Sequence, residues 1–323
     1  MDPGELFAWS RVLIVAGKGG VGKTATSAAL ALAAAQTGRI VLLVEVAGRF
    51  DATPMFGVDP QAYDPQGYDE QSIYHAPGGG EIRRRSITPD AALTDWLESH
   101  GFNRLIRRMA KSGILEIVAT ATPGIKDLLV LGKIKHLETS GAADVIVVDT
   151  PAAGHALHFL KAPLAVRQAV RSGVLRQQAT ETLEMLGDEQ RCQALLVTIA
   201  EETPISELIE TAFAVEDEVG LALGPVIVNG VLPNIAGLSE TKLNGKTTAS
   251  AALHPQQVND LSTATKFRQE RTILQNQQLN FLAQRLPLPR VYLPALFTSS
   301  IGLTELQTLA DAFQQSIRQQ ASQ

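Results

Sequence analysis

The densest chemistry in the sequence is the run Gly17-Lys18-Gly19-Gly20-Val21-Gly22-Lys23-Thr24. It satisfies G-x-x-x-x-G-K-[ST] and sits between a strand-like and a helix-like segment, the context in which that pattern cradles phosphates. Glycines let the backbone curl until successive N–H groups face one anion, and the following helix adds its positive end. In such a loop Lys23 reaches the outer phosphates and Thr24 offers its hydroxyl to Mg²⁺. The expected ligands are ATP and Mg²⁺, and the candidate contacts are Gly17, Lys18, Gly19, Gly20, Val21, Gly22, Lys23, Thr24 and Ala25.

A second candidate follows the apolar run DVIVV. Asp149 closes that run, where a carboxylate can bind Mg²⁺ through water; otherwise it caps the strand end. Gly154, shortly after it, would let the segment swing when a phosphate leaves.

These residues also carry a resemblance. GKGGVGKT, with Lys18 beside the first glycine, is similar to the deviant Walker A loop of the Min and Par partitioning ATPases, the nitrogenase iron protein and the arsenite-pump/guided-entry ATPases. In that class the extra lysine crosses a dimer interface, so the resemblance implies an ATP-sandwiched dimer. Asp149-Thr150-Pro151-Ala152-Ala153-Gly154-His155-Ala156-Leu157 looks like the DT-x-P-x-GH-x-L switch of the arsenite-pump (ArsA)/guided-entry family. Pro123-Gly124-Ile125-Lys126-Asp127 resembles its helix start near the dimer interface. Val228-Asn229-Gly230-Val231-Leu232-Pro233 resembles its VN-x-x-LP turn. There the asparagine reads the adenine edge, which suits an amide that both donates and accepts. Asn229 is therefore the candidate contact to the adenine, and Pro294 is a further nucleotide-binding candidate. The matches span most of the chain.

Departures from the family pattern matter equally. Where the family ends its second strand in an aspartate that positions the attacking water, this chain reads Val44-Glu45-Val46-Ala47-Gly48-Arg49. A methyl group cannot orient water. Either Glu45, Asp51 or His155 substitutes, or turnover is slow, or a partner subunit supplies the group. Slow turnover is expected, because phosphoryl transfer in such loops rests mostly on positioning and charge neutralisation. Lys18, Lys23, Asp149, Glu45 and Asp51 are thus the catalytic candidates, and Thr24 and Asp149 the metal candidates. Cys192 is the only cysteine, so the family's arsenite-binding thiol trio and its zinc-bridging CxxC are both missing. Neither arsenite nor zinc is expected.

The expected partners are a second copy or a paralogous ATPase, with an unidentified protein or membrane-associated client. An alternative is a regulatory nucleotide-binding subunit that pairs with a catalytic paralogue. A Min/Par-like positioning role lacks a basic tail, the Gln-rich end having only Arg318. Arg104, Arg107, Arg108 and Lys111 line a stripe beside Phe102, Leu105, Ile106 and Met109; this is a solvated face over a core stripe, or else a partner-facing basic helix. Arg83-Arg84-Arg85 reads as a solvated strand edge.

The elements that must position these residues follow from hydrophobic pattern. Residues 11–16, 40–46, 144–148, 194–199, 225–228 and 290–293 are continuous apolar runs, as buried parallel strands require. Strand, glycine-rich turn, Ala/Leu-rich helix closed by Gly38, and strand form one βαβ unit. Thr203-Pro204 and Thr88-Pro89 mark helix starts, the first leading an apolar stripe of Ile205, Leu208, Ile209, Ala212 and Phe213. Leu303, Leu306, Leu309, Phe313 and Ile317 define a final amphipathic helix with a fraying end. The fold class is a doubly wound, mostly parallel α/β sheet forming a single P-loop ATPase domain over 1–323. Helical insertions are expected at about 90–135 and 156–190, and a mobile loop at about 236–254.

Composition agrees with this reading. Hydrophobic residues make up 45% of 323, enough for a substantial core, and a net charge of −5 leaves no general field for nucleic acid, which is not expected as a partner. A single cysteine rules out an intrachain disulfide. Residues 1–10 lack a signal-peptide core and no apolar run spans a bilayer, so the expected location is the cytoplasm.

Overall fold

The computed structural model describes residues 10–46, 52–59, 70–99, 124–151, 153–233 and 254–321. The expectations resting on Ala47, Arg49, Asp51, Pro123, the basic stretch 102–111 and most of 236–254 lie outside those residues.

An eight-stranded sheet organises the chain. Its strands are β1 (Val12–Gly17), β2 (Ile40–Val46), β3 (Gln71–His75), β4 (Glu81–Ile87), β5 (Val145–Asp149), β6 (Cys192–Ile199), β7 (Val226–Val231) and β8 (Arg290–Pro294). They lie in the order β3-β4-β2-β5-β1-β6-β7-β8, and every neighbouring pair is parallel except β3 with β4. The chain fills one side of β1 before crossing to β6. This reversal opens a crevice at the carboxyl end of β1, the expected place for a ligand in an open α/β sheet.

Helices cover both faces of the sheet: α1 (Lys23–Ala35), α2 (Pro89–Ser99), α3 (Ile125–Thr139), α4 (Ala153–Ala169), α5 (Val174–Leu186), α6 (Glu202–Ala214), α7 (Pro255–Arg285) and α8 (Leu303–Ala321). Alternate strand residues point to opposite faces, which explains why the strands are apolar throughout. Leu13, Val15, Val41, Leu43 and Val147 pack under α1 and α8, with Phe313 of α8 fully buried. Val12, Ile14, Leu42, Val44 and Val148 pack instead under α2, α3, α4 and α5. A smaller cluster joins Leu196 and Val228 to Ile205 and Leu208 of α6 and to Leu282 of α7. The alanine-rich sequence of α1 has a purpose here. Ala25 through Ala35 are all buried, so small side chains let this helix sit close to the sheet.

Several sequence expectations need correction. The arginine run lies on β4, one strand in from the edge, and Arg84 is buried with its Nη2 donating to Gln71 Oε1 at 2.9 Å. It is not a solvated edge, because β3 covers it. The periodicity of β3 and β4 is too polar to read as buried strands. Helix α6 starts at Glu202 rather than after Thr203, so Pro204 falls inside its first turn. Phe213 and Leu303, assigned to buried stripes, are 49% and 41% exposed, while Ala212 and Val215 on either side of Phe213 are fully buried, so Phe213 lies off the face that α6 turns to the core. Asn229 belongs to β7 itself, opposite Ile199 of β6, rather than to a turn beyond it. Helix α8 continues to Ala321, through much of the glutamine-rich end expected to fray. Thr88 does cap α2, its Oγ1 accepting from Ala91 N at 3.2 Å.

Candidate nucleotide site

The loop between β1 and α1 owes its shape to two close approaches. A Cβ on Gly17 would lie 2.3 Å from the carbonyl oxygen of Val197, so only glycine lets the loop leave β1 beside β6. Gly22 adopts φ 87°, a left-handed conformation, and its Cβ would meet Asn229 Nδ2 at 2.3 Å. Gly22 is also the N-cap of α1, with no side-chain cap and no acidic residue in the first turn. The amides and positive end of that helix are therefore presented to an anion without a competing carboxylate on the helix itself.

Around this loop lies a cavity of about 370 Å³, bounded by Lys23, Thr24, Glu45, Asp149, Thr150 and Ile301 among others. Gly19, Gly20, Gly22 and Ala25 also line it. Lys23 Nζ folds back to donate to Lys18 O at 3.1 Å. Thr24 Oγ1 donates to Asp149 Oδ2 at 2.7 Å, and Ser27 Oγ, one helical turn on, donates to Asp149 Oδ1 at 3.3 Å. Asp149 is brought there by the β1–β5 pairing, which sets it beside Val15. Thr150 Oγ1 donates to Val15 O at 2.8 Å and ties the start of the next segment to the same strand.

Glu45 lies opposite Asp149 across the β2–β5 ladder. It is 1% exposed, and its Oε1 accepts from Ala52 N at 2.9 Å, so it anchors the chain where it returns after β2. Asn229 Nδ2 donates to Val21 O at 2.9 Å. Lys18 points away from the cavity and forms a 2.6 Å ion pair with Glu207 of α6. Pro294 ends β8 next to Val231, outside the residues lining the cavity.

The site thus combines a strand–glycine loop–helix unit, a lysine and a threonine at its helix start, and an aspartate on the adjacent parallel strand. The CobQ/CobB/MinD/ParA nucleotide binding domain family matches residues 12–240. The chain belongs to that family. Among relatives, ATPase BagA of Mycobacterium tuberculosis is 31% identical over an alignment of 330 positions, covering 95% of this chain and 94% of its own. The ATPase get3 of Schizosaccharomyces japonicus is 30% identical over 158 positions, 49% of this chain and 45% of its own; that of Aspergillus niger is 29% identical over 163. The chain thus aligns with less than half the length of these fungal relatives.

Membership in the CobQ/CobB/MinD/ParA family makes the Gly17–Thr24 loop part of a P-loop nucleotide domain. Sequence reasoning found Lys23, Thr24 and Asp149, which the fold gathers, and Lys18, which it turns toward α6. It named Thr150 only as part of the Asp149–Leu157 segment, and it missed Ser27, Glu207 and Ile301. Only Ser27 had a local signal, a hydroxyl one helical turn after Thr24. The others arrive through tertiary contacts.

The donor set fits a small hard cation. Thr24 Oγ1 and Asp149 Oδ2 converge on the cavity, and oxygen ligands with water and phosphates are what Mg²⁺ takes. Among the described residues no helix is long and apolar enough to cross a membrane.

Proposed function

We propose that this protein is a Mg²⁺-dependent ATPase of the arsenite-pump/guided-entry kind, carrying a deviant Walker A loop and acting as a nucleotide-gated dimer in the cytoplasm. The observation that carries the reading is the convergence of Lys23, Thr24 and Asp149 on one cavity beside uncapped helix amides. Lys23 and the loop amides neutralise the phosphates, and Thr24 and Asp149 hold Mg²⁺, Asp149 through water. The bound metal would draw charge from the transferring phosphoryl group. Asn229 and Pro294 flank the base. Lys18 crosses to the nucleotide of a second subunit, which is a copy of this chain or a paralogue. The segment from Asp149 to His155 includes the first residues of α4, which starts at Ala153, and through it nucleotide state reaches the α2–α5 helices, the proposed helical subdomain that meets a protein or membrane-associated client.

Turnover is slow in this reading. Ala47 replaces the aspartate of the family pattern, and Glu45 is engaged in holding Ala52 N. The same two observations favour a second reading, in which the chain is a weakly catalytic subunit paired with an active paralogue.

Equilibrium nucleotide binding and single-turnover hydrolysis of Lys23→Ala and Ala47→Asp test the first reading. Lys23→Ala is expected to weaken Mg·ATP binding by about tenfold or more, the worth of a charge-assisted hydrogen bond. Ala47→Asp is expected to speed hydrolysis. A Lys23→Ala protein that binds like the parent overturns the site. Parent turnover at the buffer blank, restored by adding such a paralogue, selects the second reading.

A further inference from the structure

Asn229 and Val21 are 208 positions apart in sequence, yet the asparagine amide and the loop carbonyl meet at 2.9 Å. A Cβ on Gly22 would stand 2.3 Å from Asn229 Nδ2 and 3.5 Å from its Cγ, so the amide nitrogen meets the left-handed glycine end-on and leaves no room for a side chain there. Its direction has a consequence for anion binding. A loop cradles phosphate only when its N–H groups face inward and its carbonyls face away. By accepting from Asn229, the Val21 carbonyl is held outward.

The strand segment just after Asn229 is held by α7. Gln275 Oε1 accepts from Leu232 N at 3.0 Å, and Gln275 Nε2 donates to Gly230 O at 3.2 Å. These backbone groups flank Val231 where the β7–β8 ladder shifts register, and Gly230 has φ 68°. A bulge disturbs regular strand pairing, and backbone groups there need side-chain partners. One amide serves both, and so braces the bulge that directly follows Asn229. Gln275 also borders a cavity of about 610 Å³ shared with residues 18–21 of the loop, so α7 lies alongside the loop itself. Neither Asn229 nor Gln275 lines the cavity bounded by Lys23 and Asp149.

We propose that Gln275 and Asn229 form a strut, running from α7 through the β7 bulge to Val21, that holds the Gly17–Thr24 loop in its anion-accepting shape. Both are positioning residues. The proposal rests on the reading of that loop as a triphosphate site, and it gives Asn229 a task independent of any base. One Nδ2 hydrogen serves Val21, which leaves the second hydrogen and Oδ1 for a purine.

A ligand without a base separates the two tasks. Mg·tripolyphosphate and Mg·ATP are titrated calorimetrically against the full chain and against Asn229→Ala, Asn229→Asp and Gln275→Ala, with circular dichroism confirming that each variant is folded. Loss of one buried-side hydrogen bond predicts that Asn229→Ala weakens both ligands about tenfold, leaving the ratio of their affinities unchanged, and that Gln275→Ala weakens both about three- to tenfold. Asn229→Asp supplies a readout that a merely structural role would not move. Its ionised carboxylate faces the Val21 oxygen and binds weakly. As pH falls to about 4, near the ordinary aspartate value, it regains a donor hydrogen, and affinity recovers relative to the parent measured in parallel. Undiminished tripolyphosphate binding by Asn229→Ala, with ATP alone weakened, overturns the strut and leaves Asn229 as a base reader. So does an Asn229→Asp protein with no acid recovery. A parent chain that binds neither ligand instead removes the triphosphate reading of the loop, and the strut with it.

Discussion

Lys18 Nζ and Glu207 Oε1 lie 2.6 Å apart, joining the phosphate loop to helix α6 within one chain. Both side chains are more than a third exposed, so the pair contributes little to stability, about 0.2–1 kcal/mol at most. It does hold the lysine that would reach across a dimer. In the proposed dimer, closure of two subunits would exchange this partner for the other subunit's nucleotide. Glu207→Gln is expected to leave the melting temperature nearly unchanged while tightening ATP-dependent self-association, or association with a paralogue, by about two- to fivefold in sedimentation experiments. Weaker association than the parent shows instead that Glu207 supports the interface.

Asp149 accepts from both Thr24 and Ser27, which sets its carboxylate at the mouth of the loop. Asp149→Ala is expected to abolish the gain in ATP affinity that Mg²⁺ confers, about tenfold, while affinity measured with the metal chelated stays close to the parent's. Titrations with and without chelator decide it. An equal loss under both conditions assigns Asp149 to loop structure rather than to the metal.

Glu45 is buried and its carboxylate holds Ala52 N at 2.9 Å. Removing the acceptor strands a buried backbone donor, so Glu45→Ala is expected to cost about 1–3 kcal/mol in urea unfolding. Glu45→Gln keeps an acceptor oxygen and is expected to cost less. Equal unfolding midpoints for parent and Glu45→Ala count against an anchoring role for this contact.

Cys192 opens β6 with no exposed surface, and burial pushes its thiol far above the usual range. Thiolate is the reactive form, and a raised value keeps the group neutral through ordinary pH. N-ethylmaleimide near neutral pH is therefore expected to leave the native protein unmodified and to label it once on unfolding, read by intact mass. Rapid labelling of the native state contradicts this burial.

The phosphate loop and its flanking strand and helix were legible in sequence because each depends on local chemistry. Glycines permit the curl, an apolar run makes β1, and alanines make a helix that packs closely. Arg83–Arg85 misled for the converse reason. Their polarity reads as an exposed edge, and only β3 folding back antiparallel on β4 buries Arg84. Phe213 looked buried by period, but α6 turns Ala212 and the following Val215 to the core and leaves Phe213 half exposed.

From residue types and spacing alone came the parallel α/β class, the anion loop at Gly17–Thr24 and the carboxylate at the end of β5. Hydrophobic period and backbone permissiveness act over a few residues and are written directly in order. Tertiary structure alone decided which distant groups meet. It put Glu207 on Lys18 across 189 positions, Asn229 on Val21 across 208, and Gln275 on the β7 bulge. Such pairings follow from strand order and helix docking, which sum weak contacts over the whole core, and no single segment encodes them.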